Sequence, residues 1–178
     1  RTSRLVTQLM QLARADEAGH LASATSCELR TITEHVLADS APAAMQDRTS
    51  VALEASDPGR VLGDGALLEA LVRNLVDNAL RHGGPNGEVR VGLVQQDREV
   101  RLTVDDTGPG VTPEALERLG RRFYRAAEAT ATGSGLGLSI VKRIAELHGG
   151  SVSFRSGDAG RGLRVDVTIP AEGREHLN

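Results

Sequence analysis

The sequence predicts an α+β fold, a two-layer α/β sandwich with an N-terminal helical stub, and three observations carry that reading. Apolar residues recur at three- and four-residue steps across 65–82 and again across 140–147, the mark of amphipathic helices. Strand-like runs bounded by turn residues occur near 50–55, 60–62, 88–97, 99–105, 151–156 and 163–169. The two kinds of element are mixed along the chain, and strands with helices on one face make a two-layer sandwich.

Taken in order, residues 1–18 place Leu5, Leu9 and Leu12, joined by Val6 and Ala13, on one helical face. The link from Gly19 to Ser26 leads into a short early strand and a helix near 29–43. Strands near 50–55 and 60–62 precede the helix of 65–82, whose apolar side gathers Leu67, Leu68, Leu71, Val72, Leu75, Val76, Ala79 and Leu80. Strands near 88–97 and 99–105 form a hairpin around Asp97-Arg98, and a short helix starts at Pro113 behind a capping Thr112. Ala126–Ser134 (AAEATATGS) lacks any large apolar residue and cannot pack into a core. Ile140, Val141, Ile144 and Leu147 stripe the next helix, which Gly149-Gly150 ends. Strands near 151–156 and 163–169 follow, the last stopped by Pro170. The predicted organisation is a stub at 1–19, a domain at 26–170 and a tail at 171–178.

Composition asks for nothing beyond a self-sufficient core. A domain near 150 residues buries about 68–70% of its unfolded surface, so no disulfide or metal staple is needed. One cysteine permits no intrachain disulfide, in keeping with a reducing compartment. A net charge of −3 offers no basic field for nucleic acid or an anionic membrane. No apolar run approaches the ~20 residues that span a bilayer, and no signal peptide is visible.

Three pieces carry the chemistry. On the helix of 65–82, Asn74, Asn78, Arg81 and His82 fall at i, i+4, i+7 and i+8 on the polar side. An amide oxygen is a hard, uncharged ligand that suits Mg²⁺, and Asn78 could supply it, with Arg81 and His82 near phosphates one turn on. Taken alone, the pair also reads as solvated amides on a surface helix. The alternation of Val100, Leu102 and Val104 predicts an edge-on strand ending at Asp106, whose carboxylate can accept from an exocyclic amine such as that of adenine. Gly108 and Gly110 would let backbone approach a flat ring, although Asp-Thr-Gly-Pro-Gly is also what a plain turn is made of. Gly133-Ser134-Gly135-Leu136-Gly137-Leu138 opens the next helix, where free N–H groups at the positive dipole end suit a phosphate. The dinucleotide fingerprint fails because the sixth position from Gly133 is Leu138, and no Gly-Lys-Ser/Thr closes a Walker loop.

With these pieces in order, the chain resembles the catalytic, ATP-binding domain of a bacterial sensor histidine kinase, in the superfamily that also holds gyrase, heat-shock chaperone and mismatch-repair ATPases. NLVDNALRHG resembles the N box, DDTGPGV the first glycine box, RRFYR the F box and GSGLGLSIVKRIAELHGG the second glycine box. The resemblance spans roughly residues 26 to 170. It implies ATP and Mg²⁺ as ligands, with Asn78 holding the metal beside Asn74, and Arg81 and His82 approaching the phosphates. Asp106 would read the adenine amine over Gly108 and Gly110. Gly133, Gly135 and Gly137, with Leu136 and Leu138, would close over the phosphates, Arg125 would belong to the same site, and Phe123 would anchor a mobile lid. The stub resembles the second helix of the family's dimerisation and phosphoacceptor hairpin. The implied partners are that hairpin in a homodimer and a cognate response regulator, and the implied location is the cytoplasmic side of an inner-membrane protein anchored upstream.

Hydrolytic members and serine-phosphorylating anti-sigma kinases place a Glu general base four positions before the metal-binding Asn. Here that position is Asn74, which cannot accept a proton at neutral pH. The substitution favours a histidine acceptor, which brings its own nucleophilic nitrogen, over an ATPase or an anti-sigma-type serine kinase, and the hairpin-like stub weighs against both that serine kinase and an ATP-gated binding module. Ser26-Cys27-Glu28-Leu29-Arg30-Thr31 mimics an acceptor motif with Cys in place of His, but it follows the hairpin helix and has Ile32 where that motif has Pro. It is expected to be an early strand leading into a helix. No catalytic acceptor is therefore expected within these residues, and no self-phosphorylation. His148 is expected to pack or cap at its helix end, and His20, His35 and His176 to be solvated. Arg118, Arg121, Arg122 and Arg125 could meet phosphates, an acidic partner or only water.

Overall fold

The computed structural model describes residues 24–125, 134–157 and 160–173. The helical stub, the C-terminal tail beyond Gly173, most of the glycine-poor lid segment, and Gly133 lie outside them. In chain order the elements are β1 (Thr25–Glu28), α1 (Leu29–Gln46), β2 (Ser50–Ala55), β3 (Arg60–Gly63), α2 (Gly65–Gly83), β4 (Glu88–Gln96), β5 (Glu99–Asp106), α3 (Pro113–Leu116), α4 (Gly137–Leu147), β6 (Ser151–Ser156) and β7 (Leu163–Pro170).

The five longer-range strands form one sheet in the order β2-β4-β5-β7-β6, with β2 and β4 parallel and the other pairs antiparallel, while β1 and β3 make a separate antiparallel pair. The strand ending at Asp106 is therefore the middle of the sheet, not an edge-on strand. Alternation of Val100, Leu102 and Val104 reports only that one face is buried, and both a central and a border strand satisfy it. Two boundaries also differ from expectation. β7 runs through Pro170, whose Cα partner is Glu99, because the last residue of a strand can forgo the N–H that proline lacks. α1 continues past 43 to Gln46 with Pro42 inside it, carried by its packing on the core through Val36, Ser40 and Ala44.

The inward face of the sheet (Val89, Val91, Leu93, Val100, Leu102, Val104, Val165, Val167 and Ile169) packs on α1, α2 and α4 as one core, which is the expected two-layer sandwich. The outward face is polar. Arg164 Nη2 meets Asp105 Oδ2 at 2.6 Å, and Arg155 Nη2 meets Asp166 Oδ2 at 2.6 Å.

α2 is fixed at both ends by its sequence. Asp64 accepts from the N–H groups of Ala66 (2.9 Å) and Leu67 (3.1 Å), satisfying two donors that the first turn leaves over. Arg81 and His82 stand in the last turn, where the dipole favours positive charge, and Gly84 takes φ 77° just beyond. α4 ends as its glycines predict, and His148 is both packed and capping: it is buried, with Nδ1 2.7 Å from the Ile144 carbonyl. Cys27 sits in β1, as expected of a strand residue.

Candidate functional site

α2 and α4 pack side by side on the sheet, and the end of β5 rises between α2 and the loop that leads to α3. A cleft opens there, with about 1050 Å³ of atom-free space that is partly open to solvent. Asn74, Asn78, Arg81 and His82 line it from α2, Asp106 from the end of β5, Gly110 from the following turn, Arg125 from beyond α3, and Gly135, Gly137 and Leu138 from the start of α4. Residues separated by more than sixty positions thus converge on one cavity.

Each wall has a local cause. Asn74 is buried, and its Nδ2 donates to the Ala70 carbonyl at 2.7 Å, one turn back on its own helix. His82 has its pKa pushed below the usual imidazole value by burial first, then by the cationic Arg81 and Arg125, so it is neutral at neutral pH. Asp106 is 5% exposed and accepts the N–H of Gly108 at 2.9 Å. Burial, aided by the neighbouring Asp105, raises its pKa to about 6, against the lowering effect of the Gly108 and Leu163 N–H groups. At neutral pH it is still mostly a carboxylate able to accept a hydrogen bond.

The structure separates the glycines by task. Gly110 and Gly137 line the cleft, as does Gly135, whose backbone lies against that of Phe123. Gly108 does not reach the cavity wall. It is required one layer behind, because a Cβ there would strike the carbonyl of His82. Leu136 likewise turns away, fully buried in the core, and fixes the start of α4 from below. Phe123 is 67% exposed at φ 61°, and the ring that faces the cavity is the adjacent Tyr124, with the Arg118 guanidinium 4.5 Å from its centroid. Arg121 and Arg125 line the cleft, whereas Arg118 serves Tyr124.

Sequence reasoning missed Asp77, Tyr124, Gly162 and Leu163. Asp77, beside Asn78, adds a carboxylate to the wall, an oxygen donor of the kind that could hold a hard cation. Gly162 backs the Asp106 turn from behind the wall. Its N–H donates to Gly108 O at 2.8 Å, and at φ 74° its α-carbon lies so close to the Asp106 carbonyl that no side chain fits. The Gly160-Arg161-Gly162 spacing was a readable signal of a special turn, but nothing local tied it to Asp106.

Comparison with known proteins accords with this geometry. Residues 63–173 match the family model described as histidine kinase-, DNA gyrase B- and HSP90-like ATPase. The chain is 44% identical over 161 residues to the sensor protein QseC of Escherichia coli K12, covering 90% of this chain and 35% of that protein. It is 39% identical over 171 residues to the sensor protein kinase PmrB of Pseudomonas aeruginosa, covering 96% of this chain and 36% of that protein. It thus spans about a third of the length of these relatives. Among solved structures, the mycobacterial sensor histidine kinase MprB superposes with a TM-score of 0.75 at 29% identity, covering 82% of this chain and 97% of that one. Full-length ShkA in complex with AMPPNP superposes with a TM-score of 0.80 at 28% identity, covering 96% of this chain and 36% of that one. The cleft and the match together place the chain in the histidine kinase-, DNA gyrase B- and HSP90-like ATPase family, homologous within it to the sensor histidine kinases.

Proposed function

We propose that the cleft binds ATP with Mg²⁺ and presents the γ-phosphoryl group to a histidine on a preceding hairpin, for relay to an aspartate of a response regulator. The observation that carries this reading is the convergence of Asn78, Arg81, His82, Asp106, Gly135 and Gly137 on one cavity. Asp106 accepts from the adenine amine over Gly110, and Asn78 with Asp77 offers the hard oxygen set that Mg²⁺ prefers. When bound there, the ion neutralises charge on the phosphates and fixes their geometry. Arg81, Arg125 and the N-terminus of α4 face the phosphates, and neutral His82 can donate a hydrogen bond to them.

Phosphoryl transfer asks mostly for positioning and charge stabilisation, so a site without a general base is sufficient when the acceptor is itself a nucleophile. Asn74 stands where a hydrolytic relative needs a base, and its amide is committed to the Ala70 carbonyl. That weighs against a serine kinase or a water-activating ATPase. In the whole protein, by analogy with the cytoplasmic segment of QseC, the domain would work on the cytoplasmic side of a membrane-anchored homodimer. Labelled ATP is the test. The chain alone should acquire no acid-labile phosphate, and a separate hairpin fragment carrying the acceptor histidine should be phosphorylated in trans, slowly, because tethering is lost. Label on the chain alone, or none on the hairpin, contradicts the proposal.

A further inference from the structure

On the side of α2 away from the cleft, three side chains that sequence analysis left as solvent-facing or did not consider come together. His35 and Asp39 stand one turn apart on α1, and Glu69 faces them from α2. Their ligand atoms, an imidazole nitrogen and two carboxylate oxygens, all lie within 4.8 Å of one another. Arg73, one turn beyond Glu69, places Nη2 2.8 Å from Asp39 Oδ2 and 2.8 Å from Glu69 Oε1. A cationic nitrogen already sits between the two carboxylates, which shows that two oxygens from different helices are aimed at one point suited to a positive centre.

We propose that His35, Asp39 and Glu69 form a divalent transition-metal site, for an ion of the zinc class, that clamps α1 to α2 and is entered by displacing Arg73. One nitrogen and two carboxylate oxygens, completed by water, suit zinc better than Mg²⁺, which favours oxygen ligands and keeps its waters. Bond lengths of about 2.1 Å put tetrahedral ligands about 3.4 Å apart, so the present spread must contract by up to about 1.4 Å. The side chains can make that adjustment because His35 and Asp39 are exposed and Glu69 is half-buried. The helices need not move. Metal and guanidinium then compete for the same oxygens, which makes Arg73 a brake on the affinity.

The site lies on the helix that supplies Asn74 and Asn78 to the nucleotide cleft, but it shares no residue with the cleft. Its failure would leave the ATP reading untouched. Calorimetry with Zn²⁺ on the 178-residue chain, without nucleotide, tests it. His35→Ala should weaken one binding event at least tenfold, Asp39→Asn should do the same, and Arg73→Gln should tighten it several-fold. Zn²⁺ at a hundredfold excess over the dissociation constant should raise the thermal midpoint by roughly 5–10 °C in the unsubstituted chain and not in His35→Ala. All three side chains are at least partly exposed, so their substitution leaves the core intact. Equal Zn²⁺ affinity in the unsubstituted chain and His35→Ala, or weaker binding in Arg73→Gln, overturns the proposal.

Discussion

His148 joins two helices that never meet in sequence: its Nε2 accepts the backbone N–H of Asp64 at 3.2 Å while Nδ1 faces the Ile144 carbonyl at 2.7 Å. The geometry requires the neutral ring protonated on Nδ1. It ties the C-terminus of α4 to the residue that caps α2, at the end of the helix pair remote from the cleft.

Replacing His148 by Phe leaves the part-buried Asp64 N–H without its partner, while the Ile144 carbonyl loses the ring but keeps the His148 backbone N–H at 3.2 Å. A loss of about 1–3 kcal/mol of folding free energy is expected. Asp64→Ala, which removes only the cap, should cost about 1 kcal/mol. Urea unfolding of the two variants checks the ranking, and equal losses would mean that the ring contributes no more than the cap.

Asn78→Ala should reduce Mg²⁺-dependent ATP affinity by roughly 10- to 150-fold, the range for losing a contact of about 1.5–3 kcal/mol to a charged group. Titration calorimetry with and without Mg²⁺ is decisive. An unchanged affinity removes Asn78 from the site.

Asp106 should give stability and binding opposite pH dependences. Its carboxyl titrates at about 6 in the fold against 3.8 unfolded. Between those values the folded chain holds the extra proton, so stability rises as pH falls through 6 toward 4 and is lost again as pH rises, by up to about 3 kcal/mol. ATP affinity should move the other way, weakening below about pH 6 as the protonated carboxyl stops accepting from the adenine amine. Asp106→Asn should flatten both profiles near pH 6 and weaken ATP more than GTP. Parallel changes in the two nucleotides would show that Asp106 supports the turn and reads no base.

Gly162→Ala forces a Cβ onto the Asp106 carbonyl and should cost more than about 3 kcal/mol, with loss of ATP binding. Gly160→Ala meets nothing within 4 Å and should cost only the left-handed backbone penalty, about 1–2 kcal/mol. Thermal unfolding of the pair separates the close approach from the backbone angle.

What the sequence by itself determined is local. The apolar steps of Leu67 to Leu80 fix which side of α2 is buried, Asp64 and Gly84 punctuate that helix, Thr112 caps α3 through the Ala115 N–H at 3.3 Å, and Asp97-Arg98 turns the β4–β5 hairpin. Each depends on residues a few positions apart, which periodicity and capping chemistry report directly. The four motifs also named most of the cleft, because helix faces and strand ends carry their side chains with them. Tertiary structure alone decided the rest. Parallel pairing of β2 with β4, the insertion of β7 beside β5, and the central place of Asp106 all follow from non-local registers that one-face alternation does not encode. The same is true of Gly162 beneath Asp106, Tyr124 in place of Phe123 at the cavity, and Arg73 between Asp39 and Glu69. Gly162 and Asp106 are more than fifty positions apart and Arg73 and Asp39 are 34 apart, whereas Tyr124 turns on which of two adjacent rings points inward, and no local pattern specifies either.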